Sequence, residues 1–380
     1  MTTRRELLHR VAFSMAASAV GCATRKTRVA VQPAIAQPRQ KFAPVLVSSD
    51  RITRTVVGLR PFRPSGFVVR SERLGEKTIV HNYGHGGGGM TLSWGTAMLA
   101  VELALPLGHS TFAVLGCGGV GLATARLLQR KGGMVTIYAK DLPPDTTSNI
   151  SGAQWWPVSV FSEAQRTPEF TAQFVRAARF SHRYFQTMLG DYYGIRWLPN
   201  YLLSDSAPMD NLILGGHSPL RDLYPEFREL RRDEYPFDAA YAQQFDTMMI
   251  EPPVYLNAVL RDFLLAGGRV VVRDFASRDD VLALSEPVVL NCTGLGARAL
   301  FEDPELMPVK GQLTVLLPQP EIDYNLLKGH LYMFPRRDGI LLGGTFERGE
   351  WSLDPNLEAQ QRILGEHRQL FFPVAQKLMP

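Results

Sequence analysis

Residues 111–141, TFAVLGCGGVGLATARLLQRKGGMVTIYAKD, constrain the fold of this chain more than any other stretch. Residues 112–115 form a short apolar run, and Gly116, Gly118 and Gly121 supply a GxGxxG spacing. Residues 122–130 then carry helix formers, and residues 134–138 return as strand. Strand, glycine turn, helix and strand in this order predict a dinucleotide-binding βαβ unit. One glycine makes the tight turn, one lets backbone approach a pyrophosphate, and one lets helix and strand pack closely, while the helix N-terminus attracts the phosphates. Cys117 and Val120 lie inside the same turn. Asp141 stands about 20 residues on, where an acid takes ribose hydroxyls, and Lys140 precedes it.

The start of the chain has a different character. Arg4 and Arg5 precede an apolar segment, residues 11–20, which basic Arg25, Lys26 and Arg28 follow. This reads as an export signal with a twin-arginine pair, its apolar core too short to span a bilayer. Two cleavage points fit: before Cys22, in the lipoprotein-like Ala19-Val20-Gly21-Cys22, and after Ala36, in Ala34-Ile35-Ala36. The first abuts the apolar core and is favoured, and the chain is expected to be exported, either periplasmic or anchored to the membrane by lipid at Cys22. Cleavage there lowers the formal charge from +5 to +3. That charge, with no basic stripe interleaved with aromatics, excludes a nucleic-acid surface. Residues 1–44 are therefore set apart as export signal and proline-bearing linker. Cys117 and Cys292 fit neither a disulfide nor a metal site, and no metal-ligand cluster is apparent.

From residue 45 the pattern is that of a folded chain. Residues 45–58 alternate as a strand and lead into Leu59-Arg60-Pro61-Phe62-Arg63-Pro64, where the prolines hold Arg60 and Arg63 on extended backbone suited to binding an anion. Residues 78–94, TIVHNYGHGGGGMTLSW, form a strand, four consecutive glycines and the start of a helix over residues 90–105. Bare N–H groups at such a junction face an anionic or electron-rich ligand atom, and a second glycine-helix junction points to a large cofactor gripped at both ends. Helices are also predicted over residues 168–190, 254–265 and 357–372, and strands over 269–273, 287–291, 311–317, 331–335 and 339–346.

Several of these segments resemble the D-amino-acid oxidases and related FAD-dependent amine oxidoreductases. They are GLRPFRP (58–64), HNYGHGGGGMT (81–91), TTSNISGAQWWP (146–157), VVLNCTG (288–294), KGQL (310–313) and YMFPRRDGILLGGTF (332–346). In the family GLRPFRP and HNYGHGG lie near the C-terminus, whereas here they precede the βαβ unit, so the chain resembles a circular permutant rejoined through residues 105–109. The resemblance implies an α/β fold: a Rossmann-like FAD-binding domain (76–157 with 250–312) and a substrate domain with a largely antiparallel mixed sheet (45–75 with 158–249 and 313–380).

It also implies roles. Arg60 and Tyr332 hold a substrate carboxylate, and the carbonyl of Gly87 holds the amine. FAD contacts fall to Gly86, Gly88, Gly89, Met90 and Thr91, to Thr146, Thr147, Ser148, Ala153 and Gln154, and to Phe275 and Thr293, beside the glycine turn with Lys140 and Asp141. The implied reaction is oxidative deamination of a D-amino acid by hydride transfer to flavin, giving keto acid, ammonia and, with oxygen as acceptor, hydrogen peroxide. A dehydrogenase with another acceptor and a flavin-binding protein without turnover are the alternatives. Phe346 occupies the place of an arginine found in members that take acidic substrates, which favours neutral ones. Lys328, Arg336 and Arg337 would reverse this preference if they faced the pocket, although solvent-exposed charge is expected. The oligomeric state is left open.

Overall fold

The computed structural model describes residues 42–152, 154–208 and 211–376 of the 380-residue chain. The expected export signal, Cys22 and Ala153 lie outside the described residues. In chain order the strands are β1 (Ile52–Phe62), β2 (Val68–Leu74), β3 (Lys77–Tyr83), β4 (Thr111–Leu115), β5 (Met134–Ala139), β6 (Ile195–Ser204), β7 (Arg228–Glu229) and β8 (Tyr241–Ile250). They continue with β9 (Arg269–Val272), β10 (Val288–Asn291), β11 (Met307–Leu316), β12 (Asn325–Lys328), β13 (Leu331–Arg336), β14 (Gly339–Gly343) and β15 (Glu347–Arg348). The longer helices are α1 (Ser93–Ala104), α2 (Gly119–Arg130), α3 (Pro168–Gln186), α4 (Pro252–Leu265) and α5 (Leu357–Gln376).

A six-stranded sheet has the order β2-β3-β10-β4-β5-β9, parallel throughout except for the antiparallel edge strand β2. Its central strands are buried on both faces, which is why β4 and β10 read as unbroken apolar runs rather than alternating ones. The predicted βαβ unit is β4, α2 and β5. Strand β2 was expected on the substrate side of the chain but pairs along its length with β3, so this sheet begins before residue 76.

A nine-stranded sheet has the order β1-β11-β14-β13-β12-β6-β8-β7, with β15 alongside β11, and is antiparallel apart from the parallel pair β6 and β12. Together the two sheets give the expected α/β class with a mixed, largely antiparallel second sheet. The first strand starts at Ile52 and runs through Pro61 to Phe62. It is an edge strand, so the N–H that proline lacks is missing from no second neighbour.

Helix α3 buries Phe170, Phe174, Ala177 and Phe185 in the same core as α1 and α2, with Phe180 and Tyr184 half-buried against it. Its start is fixed by Thr167, whose hydroxyl accepts the Phe170 N–H at 3.1 Å, and by Pro168 in the first turn. A separate cluster on the nine-stranded sheet packs Phe42, Phe237 and Tyr324 against Phe371 and Val374 of α5. Among the described residues no helix is long and apolar enough to cross a membrane.

Candidate active site

A cavity of about 1460 Å³ is lined by the carboxyl ends of the parallel strands and by one face of the nine-stranded sheet. Ligands bind outside the carboxyl ends of parallel strands because the backbone leaves turns and helix N-termini there. At this end Gly116 has φ +102°, and a Cβ on it would lie 2.5 Å from the carbonyl oxygen of Cys292. A Cβ on Gly121 would lie 2.0 Å from the Gly116 oxygen, so this glycine sets the approach of α2 to the turn and does not itself line the cavity. Gly116, Cys117, Gly118 and Val120 do line it. Ser148 closes over them, its hydroxyl accepting the Gly119 N–H at 2.9 Å.

Thr146, Thr147 and Ser148 enter and open a single helical turn, Thr147–Ile150, and all three border the cavity. Thr146 is locked by donating to the Asn149 side chain at 2.8 Å. Lys140 and Asp141 both border the same end, exposed just beyond β5. Phe275 borders it as well, its ring edge-on to Tyr138 and beneath the Arg273 guanidinium at 4.8 Å. Thr293 donates to Asn291 at 2.7 Å and also lines the cavity.

The second glycine run follows β3. Gly86 has φ +55°, and a Cβ there would lie 2.2 Å from the Ser159 carbonyl oxygen. That carbonyl accepts the Gly87 N–H at 2.9 Å. Gly87 is the exposed member of the run, and Gly86, Gly89, Met90 and Thr91 line the cavity with it. Gly88 does not: it is buried towards Val160 and Leu92, a correction to its expected contact role. The carbonyl of Thr91 accepts from Trp155 Nε1 at 3.1 Å and from the Ser181 hydroxyl at 2.6 Å, which anchors the start of α1. His85 reaches the Thr96 hydroxyl at 2.9 Å, and burial drives its pKa down to about 3, leaving it neutral.

At the far end Arg60 on β1 and Tyr332 on β13 meet, Nη2 donating to the phenol oxygen at 3.4 Å. Arg60 Nη1 is buried with no protein partner. The same holds for both amide atoms of Gln154, which is 5% exposed and lines the cavity. Buried donors and acceptors without partners are rare in folded chains, and in a cavity they mark where a ligand bonds. Arg63 plays a different part from its neighbour: it is held by Asp303 at 2.8 Å and by Glu305, beside Tyr83, and so fastens β1 in place.

A cavity of this size, lined by a glycine turn before a helix N-terminus, by a second glycine run, and by Gln154 and Arg60 with polar atoms that lack protein partners, fits FAD with a carboxylate ligand next to it. A family model of FAD-dependent oxidoreductases matches residues 15–103 and 111–379. The chain belongs to this family.

The oxidoreductase is 32% identical to a D-amino-acid oxidase of Rubrobacter xylanophilus over 66% of this chain and 74% of that one. It is 30% identical to human D-aspartate oxidase over 66% of this chain and 73% of the other. Among solved structures, glycine oxidase from Geobacillus kaustophilus shares its fold with a TM-score of 0.52 at 18% identity, covering 70% of this chain and 80% of that one. FAD is its cofactor, a two-electron acceptor whose chemistry the protein directs by binding and orientation.

The oxidoreductase also uses residues that sequence reasoning missed. Leu202, Leu313, Leu327 and Phe334 build the wall around Tyr332, and Trp351 and Leu353 stand at the exposed rim with Phe346. Alternation along β6, β11 and β13 was the signal for the wall; nothing local marked the rim. Lys328, Arg336 and Arg337 stay out of the cavity. Lys328 donates to the Asp238 carbonyl at 2.5 Å and pairs with Asp205, and Arg337 pairs with Asp191. Arg336, expected to be solvent-exposed, is buried instead, with Asp338 as its partner at 2.5 Å.

Proposed function

We propose that this oxidoreductase oxidises neutral D-amino acids to their keto acids with release of ammonia, and that oxygen takes the electrons and becomes hydrogen peroxide. The observation that carries the reading is Arg60. Its Nη1 is buried without a partner, and its Nη2 touches Tyr332. A guanidinium that lines the cavity and keeps a donor free of protein partners matches a carboxylate, and the bond is charge-assisted. Tyr332 adds a hydroxyl to the same carboxylate, and the carbonyl of the exposed Gly87 takes the amine. Two fixed points and the cavity wall orient the α-carbon, and such orientation supplies much of the rate when no side-chain base is used.

Neutral side chains fit because Arg60 is the only charged side chain, among the described residues, that the nine-stranded sheet presents to the cavity. Apart from Tyr332, the other side chains that its strands present there are apolar. Phe346 covers Arg60, its ring centroid 5.9 Å from the guanidinium carbon.

The proposal extends to the order of the chain and to its destination. The family match falls in two stretches separated by residues 104–110, the last residue of α1 and the segment joining it to β4, and this break supports the reading as a circular permutant. Arg4, Arg5 and Cys22 support export and lipid attachment.

An anaerobic titration of the flavoprotein with paired D- and L-amino acids tests the function. Bleaching of the flavin band by neutral D-isomers is the expected result; a band that no amino acid bleaches refutes the reading. Peroxide formation against dye reduction then separates oxygen from another acceptor.

A further inference from the structure

The strand order of the nine-stranded sheet poses a steric problem. Arg60 is on β1 and Tyr332 on β13, and two whole strands, β11 and β14, lie between them. At about 4.8 Å per strand their backbones are roughly 14 Å apart, yet the two side chains touch. Each must lie flat across the intervening strand, and an ordinary side chain there would stop it.

The positions crossed are glycines. A Cβ on Gly311 of β11 would lie 2.4 Å from Arg60 Nη1 and 2.6 Å from Cζ and Nη2. A Cβ on Gly343 of β14, the register partner of Tyr332, would lie 2.0 Å from Tyr332 Cζ and 2.4 Å from its hydroxyl oxygen. For each glycine the three nearest atoms all belong to that one side chain. Neither has a positive φ, so the backbone at both sites accepts an L-residue. Turn geometry is therefore not what calls for glycine at either site; the space belongs to Arg60 and Tyr332.

We propose that Gly311 and Gly343 are positioning residues for substrate binding: together they form a side-chain-free floor on which Arg60 and Tyr332 converge to make the carboxylate site. This rests on the reading of those two residues as carboxylate holders. The guanidinium is the free end of a flexible side chain, so Gly311→Ala tilts it off the floor without breaking the sheet. A displacement of this size is expected to cost about 10- to 100-fold.

The test is steady-state kinetics and thermal melting of holoenzyme carrying Gly311→Ala, Arg60→Ala and both. Gly311→Ala should raise KM for a neutral D-amino acid about 10-fold or more with kcat changed far less, flavin content staying at the wild-type level. In the Arg60→Ala background the same substitution should have no further effect on KM or on melting temperature, since the clash has lost its partner. Gly365→Ala on α5, with open space around it, serves as the kinetic control, since it should leave KM and kcat unchanged. If the single variant fails to fold, the double variant must fold and hold flavin. An unchanged KM, an effect additive with Arg60→Ala, or a double variant that is also unfolded overturns the assignment. Failure of the functional reading shows separately, as a wild-type protein that turns over no amino acid, and the melting cycle still reads the glycine.

Discussion

Removing the Arg60 guanidinium tests the carboxylate site most directly. In Arg60→Ala two donors are lost, one buried without a protein partner and one weakly engaged at 3.4 Å. Hydrogen bonds to a charged group contribute about 1.5–3 kcal/mol each. Two of them amount to roughly 3–6 kcal/mol, and at about 1.4 kcal/mol per tenfold this is a loss of about 10²- to 10⁴-fold in kcat/KM. Stability should move the other way or not at all. Arg60 makes no ion pair among the described residues, so its removal breaks none and relieves a half-buried, partly unpaired charge. The assay is kcat/KM for a neutral D-amino acid, with flavin content and melting temperature measured on the same preparation. A loss below about fivefold, or a loss that merely follows departing flavin, refutes the argument, because the energetics require a large effect confined to substrate.

The glycine turn yields a contrast. Gly121→Ala places a Cβ against the backbone oxygen of Gly116 at 2.0 Å, which cannot move aside, so a destabilised, colourless protein is expected on purification. Gly118→Ala meets only the Ser148 hydroxyl at 2.9 Å, so the fold should persist with weaker FAD binding, seen as a raised dissociation constant in reconstitution titrations. Acid stability follows from two buried histidines: burial lowers His85 to about 3 and His182 to about 4. Both stay neutral in the folded protein while the unfolded chain takes up protons below about 6.5, so stability is lost as pH falls through that value. From pH 7 to pH 5 the loss is roughly 2 kcal/mol per histidine, measurable by urea melts in a range where exposed carboxylates have not yet titrated; equal midpoints at the two pH values contradict it.

Most of the cofactor end was legible in the sequence because it is built from local devices. GxGxxG, the four-glycine run and the Thr146–Ser148 loop are each specified within a few residues. Gly88 is the exception. Only the tertiary contact with Val160 decides which glycine of the run turns away from the cavity.

The substrate end was less legible because it is assembled across strands. Nothing near Arg60 in sequence specifies that Gly311 lies under its guanidinium, or that Arg63, three residues on, is consumed by Asp303 and Glu305. The buried state of Arg336 likewise involves a distant stretch, its Nη1 donating to the Ser151 carbonyl at 3.2 Å. Strand β2 escaped because its outer face is solvated and its charges mask the alternation.

The proposed circular permutation leads to a last prediction. The segment joining α1 to β4 is a short exposed turn: residues 106–110 are all exposed, and Gly108 has φ +75° with nothing within 4 Å of an added Cβ. No core contact depends on its continuity. At the other junction the rings of Phe42 and Phe371 lie 5.3 and 5.9 Å from the ring of Phe237, which both touch, so the first described residues and the end of α5 share one cluster. A flexible linker of about twelve residues extends to some 40 Å and is offered to bridge Gln376 to Phe42. A chain that starts at residue 109, runs to 376 and continues through that linker into residues 42–107 should therefore fold, bind FAD and keep kcat/KM within about threefold, since neither sheet loses a strand pairing and loop closure costs little. Measured flavin content and turnover decide it. A reordered chain that is insoluble or flavin-free would show that the joint between α1 and β4 carries structural work that its exposure and open surroundings deny.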